Sequence, residues 1–178
     1  MENTLITFDR LNNLVKLCES TWHETIAEVG VYKGGSLKTL AQAFPTSVIF
    51  GFDTFEGLPE EQWTDKEIHK PGEFNDTDIK SVYEFINNPN VVLIKGLFPE
   101  SAKHYKDQKF DFVHLDTDFF ISTVKSLLWF WPRMNYGGII VFDDYGWPNC
   151  PGVKQALTEF GHPVHETENV KYQAWIQK

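Results

Sequence analysis

Three aspartates, Asp116, Asp143 and Asp144, combine residue type and spacing in a way that suits chemistry. Asp116 follows the apolar run Phe110-Asp111-Phe112-Val113-His114-Leu115, and Asp143-Asp144 follows Ile139-Ile140-Val141-Phe142. Both runs read as buried strands, and if the strands are neighbours their ends lie about 5 Å apart. Carboxylates held that close repel one another unless one keeps its proton or a cation sits among them. A hard divalent ion with oxygen ligands, Mg²⁺ first among them, resolves the repulsion. Such an ion can bind an acceptor hydroxyl, lower its pKa and fix its oxygen, with Asp116 taking the proton as general base. The plainer alternative is that each acid only caps the loop or helix that follows it. His114, Tyr145, Trp147 and Asn149 lie close by in sequence and are candidates to line an acceptor pocket, or else packing and turn material.

A second constellation begins at Ile26-Ala27-Glu28-Val29-Gly30-Val31-Tyr32-Lys33-Gly34-Gly35-Ser36. It reads as a strand ending in an acid, a glycine-punctuated turn, and a helix starting near Ser36 and running through Leu37, Leu40 and Ala41. Glycine lets the backbone turn sharply and approach a ligand closely, and the helix start offers free N–H groups. The spacing E-x-G-x-x-x-G-G-S matches neither the dinucleotide pattern nor the phosphate-cradling loop. An acid at the strand end repels pyrophosphate and attracts an amine, which suits S-adenosylmethionine with its ammonium and carboxylate. A second strand, Ser47–Asp53, again ends on an acid. Asp53 is placed to accept from two ribose hydroxyls, or simply to cap the turn Thr54-Phe55-Glu56-Gly57.

The elements that must position these residues follow from periodicity. Phe8, Leu11, Leu14, Val15 and Cys18 recur at helical spacing, so the stretch 1–24 carries an amphipathic helix for the sheet edge, with a lid or dimer contact as a further possibility. Strand–helix–strand units in succession imply right-handed crossovers and a parallel sheet, whose ligands collect at the carboxyl ends of the strands. Residues 56–78 are long, polar and broken by Pro59, Pro71 and Gly72, with Trp63, His69 and Phe74 as anchors, and are expected to form a cover over the site. Then come a helix over 79–87, a strand over 91–96, the strand ending at Asp116, and a helix capped by Thr117 or Asp118 and ended by Pro132. A turn at Asn135–Gly138 leads into the fifth strand. A helix over 153–160 and two weaker strands, near 164–166 and 172–176, complete the chain.

At 178 residues, 42% apolar and 15% aromatic, the chain suits a single globular domain spanning 1–178. A formal net charge of −9 disfavours a nucleic-acid partner, which needs a basic face. The two cysteines, Cys18 and Cys150, have neither metal-ligand nor disulfide-framework spacing. With no signal peptide and no apolar run of spanning length, a cytoplasmic protein without a membrane partner is expected.

Taken together and in order, Glu28–Ser36, Phe52-Asp53-Thr54-Phe55-Glu56-Gly57-Leu58-Pro59, Lys95-Gly96-Leu97-Phe98, Leu115-Asp116-Thr117-Asp118 with Ser122-Thr123, and Gly137-Gly138 leading to Asp143-Asp144-Tyr145 resemble the macrocin O-methyltransferase family of macrolide-sugar methyltransferases. The resemblance implies an α/β, Rossmann-like class I methyltransferase with seven strands in order 3-2-1-4-5-7-6. It also implies Mg²⁺ on Asp116, Asp143 and Asp144, with Asp116 as the base. It places the cofactor on the glycine loop, Glu28, Gly30, Val31, Tyr32, Gly34, Gly35 and Ser36, and on Asp53; Thr54, Gly96, Leu97 and Asp116 are further candidates to line the same site. Family members on macrolide pathways carry a longer portion before the first strand, so a smaller or more open sugar-like hydroxyl acceptor is expected here.

Three rival readings follow from the same residues. A catechol-type O-methyltransferase shares the sheet and cation and needs an aromatic cleft, for which Trp63, Phe74 and Trp147 are available. Asp116-Thr117-Asp118 invites a metal-dependent phosphohydrolase, which has no evident use for the glycine turn. A non-catalytic binding protein is the third.

Overall fold

A computed structural model describes residues 3–178. Its strands are β1 (Thr25–Val29), β2 (Val48–Asp53), β3 (Val91–Lys95), β4 (Phe110–Leu115), β5 (Met134–Asp143), β6 (His165–Glu166) and β7 (Gln173–Gln177). The helices are α1 (Phe8–Glu19), α2 (Gly35–Ala43), α3 (Ile79–Ile86), α4 (Phe120–Phe130) and α5 (Pro151–Phe160). The strands form one sheet in the order β3-β2-β1-β4-β5-β7-β6, as the family resemblance implied. Neighbours from β3 to β5 are parallel, and β7 runs antiparallel to both β5 and β6.

Helices cover both faces, which is why β4 is a continuous buried run rather than an alternating one. On one face Leu11, Leu14, Leu37, Leu40, Val82 and Ile86 from α1, α2 and α3 pack on Ile26, Ile49 and Phe112. On the other, Leu127, Phe130, Val153 and Leu157 from α4 and α5 pack on Phe52, Phe110 and Phe142. Because β1, β2, β4 and β5 are parallel, Gly30, Asp53, Asp116 and Asp143 all emerge along the same edge. The fold thereby brings residues up to 113 positions apart (Gly30 to Asp143) into one region.

Several local expectations need correction. On α1, Phe8 is 63% exposed, whereas Arg10 and Asn13 are buried. That polar pair, three residues apart and so on one helix face, points at the sheet. Neither Thr117 nor Asp118 caps α4; the amide of Phe120 instead donates to the Glu67 carboxylate at 2.7 Å, and Glu67 is buried. The expected turn at Asn135–Gly138 lies within β5, where the register slips from Phe110↔Met134 to Phe112↔Ile139. This is a bulge that absorbs the extra residues without ending the strand. Helix α5 starts at Pro151, whose lack of an N–H suits a first turn.

Residues 56–78 are irregular apart from a 3₁₀ turn at Glu60–Gln62, but they are well tied down. The buried Gln62 donates to the Phe98 carbonyl at 2.8 Å and accepts from the Ser122 hydroxyl at 2.6 Å. The Leu58 amide donates to the Glu73 carbonyl, and the Gly72 amide donates to the Leu58 carbonyl. Thr77 donates to the Tyr32 carbonyl at 2.8 Å, and Phe74 meets the Tyr32 ring edge-on at 5.6 Å. Among the described residues, no helix is long and apolar enough to cross a membrane.

Candidate active site

The glycine turn is shaped by what lies against it. Gly30 has φ +88°, and a Cβ there would sit 1.8 Å from the backbone oxygen of Asp116. Only glycine fits. The Gly30 amide donates to the Phe52 carbonyl, and the Asp116 amide donates to the Val29 carbonyl, so the ends of β1, β2 and β4 are laced together. Asp53 closes the lacing. One of its carboxylate oxygens accepts from the amides of Val31 and Tyr32 at 2.7 and 2.8 Å, and the other accepts from the Phe55 amide at 2.6 Å.

Two clefts open along this edge. The first is the more apolar and is walled by Tyr32, Phe52, Asp53, Thr54, Gly96, Leu97 and Phe98, with Leu58, Gln62 and Phe74 of the 56–78 segment across it. The second is walled by Val31, Gly35, Ser36, Arg10, Asp143, Asp144, Trp147 and Asn149. Gly30, Tyr32, Phe74, Asp116 and Asp118 belong to both, so the clefts meet over Asp116.

Asp116, Asp143 and Asp144 converge as expected: one carboxylate oxygen of each lies within 4.8 Å of the others. Arg10, whose role its sequence position did not signal, reaches in from α1. Its Nη1 donates to Asp143 Oδ2 at 2.6 Å and to Asp144 Oδ1 at 2.9 Å. Gln173 on β7 donates to the remaining Asp143 oxygen at 2.9 Å and accepts from Asn13 of α1 at 2.8 Å. Among the described residues, no donor bonds the Asp116 side chain, which is left facing both clefts.

Charge explains the titration of the cluster. Burial, then the carboxylates of Asp143 and Asp144, push Asp116 well above the ordinary carboxylate range. Burial raises Asp143 to about 6 against the opposing pull of His114 and Arg10. Burial and Asp144 raise Asp118 to about 6. The donor set fits a hard divalent cation: three carboxylates carry three negative charges, Arg10 neutralises one, and two remain. A folded-state pKa above the unfolded one means that the folded chain keeps protons the unfolded chain has released. Stability is therefore expected to fall as pH rises from about 4 to about 6, and to recover on adding a divalent ion. Thermal midpoints across that range, in chelator and in excess Mg²⁺, check this; a midpoint that climbs through the window in chelator contradicts it.

Two expected cofactor residues sit elsewhere. Glu28 is wholly buried and in register with His114 across β1 and β4. The His114 Nδ1–H donates to Glu28 Oε1 at 2.7 Å, so one oxygen of this acid meets an imidazole inside the sheet, while Oε2 is buried without a partner among the described residues and Glu28 lines neither cleft. Gly34 turns toward Val82 and Ile86 of α3, where it permits close packing and lines neither cleft. Of the candidate acceptor residues, Trp147 and Asn149 line the second cleft, whereas His114 is inside the sheet.

The model of the macrocin O-methyltransferase (TylF) family matches residues 1–174. This chain belongs to the macrocin O-methyltransferase family. It is therefore an O-methyltransferase, which sets aside the phosphohydrolase and non-catalytic readings. Similar curated proteins include the mycinamicin III 3''-O-methyltransferase of Micromonospora griseorubida, 24% identical, with 89% of this chain matching 70% of that one. Another is the 8-demethyl-8-(2,3-dimethoxy-alpha-L-rhamnosyl)-tetracenomycin-C 4'-O-methyltransferase of Streptomyces olivaceus, also 24% identical, with 83% of this chain matching 64% of that one. Among solved structures, the O-methyltransferase NovP superposes with a TM-score of 0.83 at 19% identity, over 99% of this chain and 82% of that one. A Bacillus cereus O-methyltransferase in complex with SAH does so with a TM-score of 0.68 at 15% identity, over 99% of this chain and 85% of that one. These likenesses establish the class I methyltransferase sheet for this member of the macrocin O-methyltransferase family.

Proposed function

We propose that this chain transfers a methyl group from S-adenosylmethionine to a hydroxyl of a sugar-like acceptor, with Mg²⁺ held by Asp116, Asp143 and Asp144. The observation that carries the reading is the meeting of the two clefts over Asp116, between Gly30, Tyr32 and Phe74. A donor in the first cleft and an acceptor in the second approach each other only there.

In this reading Asp53, Thr54, Gly96 and Leu97 take the nucleoside end of the donor in the first cleft, and Gly30 leaves room for its reactive end beside Asp116. Val31, Tyr32, Gly35 and Ser36 line the wall toward the second cleft. The hydroxyl oxygen bonds to the methyl carbon as the carbon–sulfur bond breaks, the proton passes to Asp116, and S-adenosylhomocysteine leaves. A bound divalent cation would supply Lewis acidity, lowering the pKa of the hydroxyl. Arg10 and Gln173 fix the orientation of Asp143. Residues 56–78 act as the cover, with Leu58, Gln62 and Phe74 keeping water from the donor.

The second cleft sets Tyr32, Phe74 and Trp147 beside Arg10, Asn149 and the acids, and this mixture of flat apolar faces and polar groups suits a sugar-like acceptor. The relative from Streptomyces olivaceus is named for a rhamnosyl substrate.

Calorimetric titration with S-adenosylhomocysteine, with and without Mg²⁺, tests the donor site. Binding in the micromolar range, about 8 kcal/mol, is expected, and no binding in either condition overturns the reading. For the cation, Asp143→Asn is expected to lose Mg²⁺-stimulated turnover while retaining S-adenosylhomocysteine affinity within about threefold, a difference of under 1 kcal/mol. Full wild-type turnover in EDTA would remove the metal from the mechanism.

A further inference from the structure

Beside the three-carboxylate cluster lies a second group of different chemistry. His69 comes from the 56–78 segment, Asp118 from the turn after β4, and Cys150 from the residue before α5. One ligating atom of each lies within 4.8 Å of the others. The Cys150 thiol donates to Asp118 Oδ1 at 3.3 Å and lies 3.6 Å from Asp144 Oδ2; the shorter separation is also one that two ligands on a single small cation can adopt at bond lengths of about 2.0–2.3 Å once the thiol proton is displaced.

His69 is oriented from outside the group. Its Nδ1–H donates to Glu73 Oε2 at 2.6 Å, which leaves Nε2 as the free nitrogen. A carboxylate behind an imidazole fixes the tautomer and raises the basicity of the other nitrogen, the usual support for a metal-ligating histidine. One nitrogen, one sulfur and one oxygen from three separate segments form a donor set that prefers a borderline-soft divalent ion to Mg²⁺. His69 and Asp118 both line the second cleft, which leaves the group an open side for access.

We propose that His69, Asp118 and Cys150 form a second metal site, selective for Zn²⁺ or Co²⁺, that fastens the 56–78 segment to the floor of the cleft. The site depends neither on the identity of the acceptor nor on Mg²⁺ at the neighbouring acids. Occupied, it ties a segment of the cover to residues beyond β4 and ahead of α5. Zn²⁺ then slows entry to and exit from the clefts, and it acts as an inhibitor or a brake rather than as the catalytic ion.

Co²⁺ titration of the purified, reduced protein in excess Mg²⁺ tests this directly, because a cobalt–thiolate bond gives charge-transfer absorption in the near ultraviolet. The expected result is a saturable band at one equivalent, displaced by Zn²⁺ and not by Mg²⁺. Cys150→Ser abolishes it, and Cys18→Ser, at a buried thiol elsewhere in the core, leaves it. His69→Gln, a half-buried change that spares the thiol, is the variant to read if Cys150→Ser fails to fold; it is expected to weaken Co²⁺ by at least tenfold. Asp143→Asn separates the two clusters and leaves the band in place. Absence of a thiolate band in the wild-type protein, its survival in Cys150→Ser, or unchanged Co²⁺ affinity in His69→Gln overturns the proposal.

Discussion

Gly30→Ala is expected to remove S-adenosylhomocysteine binding and to lower stability by several kcal/mol. Two costs add. An alanine at φ +88° occupies a conformation that costs an L-residue about 1–3 kcal/mol. Its Cβ would also overlap the Asp116 carbonyl, which is backbone and cannot swing aside. Relief requires β1 and β4 to separate at their carboxyl ends, which breaks the Asp116 amide bond to Val29 and moves the wall shared by both clefts. Core disruption of this kind falls in the upper range of single substitutions, above about 3 kcal/mol. Denaturant unfolding and calorimetry read the two effects separately. A variant with wild-type affinity and a loss below about 1 kcal/mol would show that the close approach does not matter.

Arg10→Met carries the second large effect, and its size depends on the cation. Removing one partner of a buried ion pair leaves charges without compensation and typically costs about 3–5 kcal/mol. Arg10 compensates two carboxylates at once, so in chelator the loss is expected at the upper end. In saturating Mg²⁺ or Mn²⁺ most of it should return, because the ion takes over the freed oxygens Asp143 Oδ2 and Asp144 Oδ1. The same competition predicts that Mn²⁺ binds the variant at least tenfold more tightly, about 1.4 kcal/mol. Methionine keeps the apolar stem and part of its packing but not the guanidinium volume, so the comparison to read is the variant with against without the cation, in which that lost volume is common to both. Equal Mn²⁺ affinity in both proteins would mean that Arg10 and the ion do not share ligands.

Arg10 also marks where sequence reading stopped. The acids at strand ends were legible because a buried apolar run that finishes on an aspartate states both the element and its mouth. The glycine turn was legible because its spacing excludes the pyrophosphate motifs. An arginine on an amphipathic helix, by contrast, belongs by default to the solvent face, and nothing local says that a carboxylate 133 positions away will bury it. Glu28 failed in the opposite sense. An acid inside an apolar strand draws attention as a ligand, but its partner is His114 on the next strand, and only register brings the two together. The cap of α4 escaped for the same reason: Thr117 and Asp118 stand where a local cap belongs, while the group that does the capping is 53 residues earlier. What was missed, in each case, was a pairing set by topology.

The Glu67 contact makes the first turn of α4 a reporter on residues 56–78. An amide whose acceptor belongs to the adjoining chain segment is shielded from exchange with deuterated solvent only while that segment is in place. Exchange at Phe120 therefore measures the fraction of time residues 56–78 spend lifted. The same bond lends the helix a negative charge at its positive end that it does not itself encode. In the cover role proposed above, each excursion of residues 56–78 would fray the helix that follows Asp116, so that donor entry would coincide with a brief loosening of the floor beneath it.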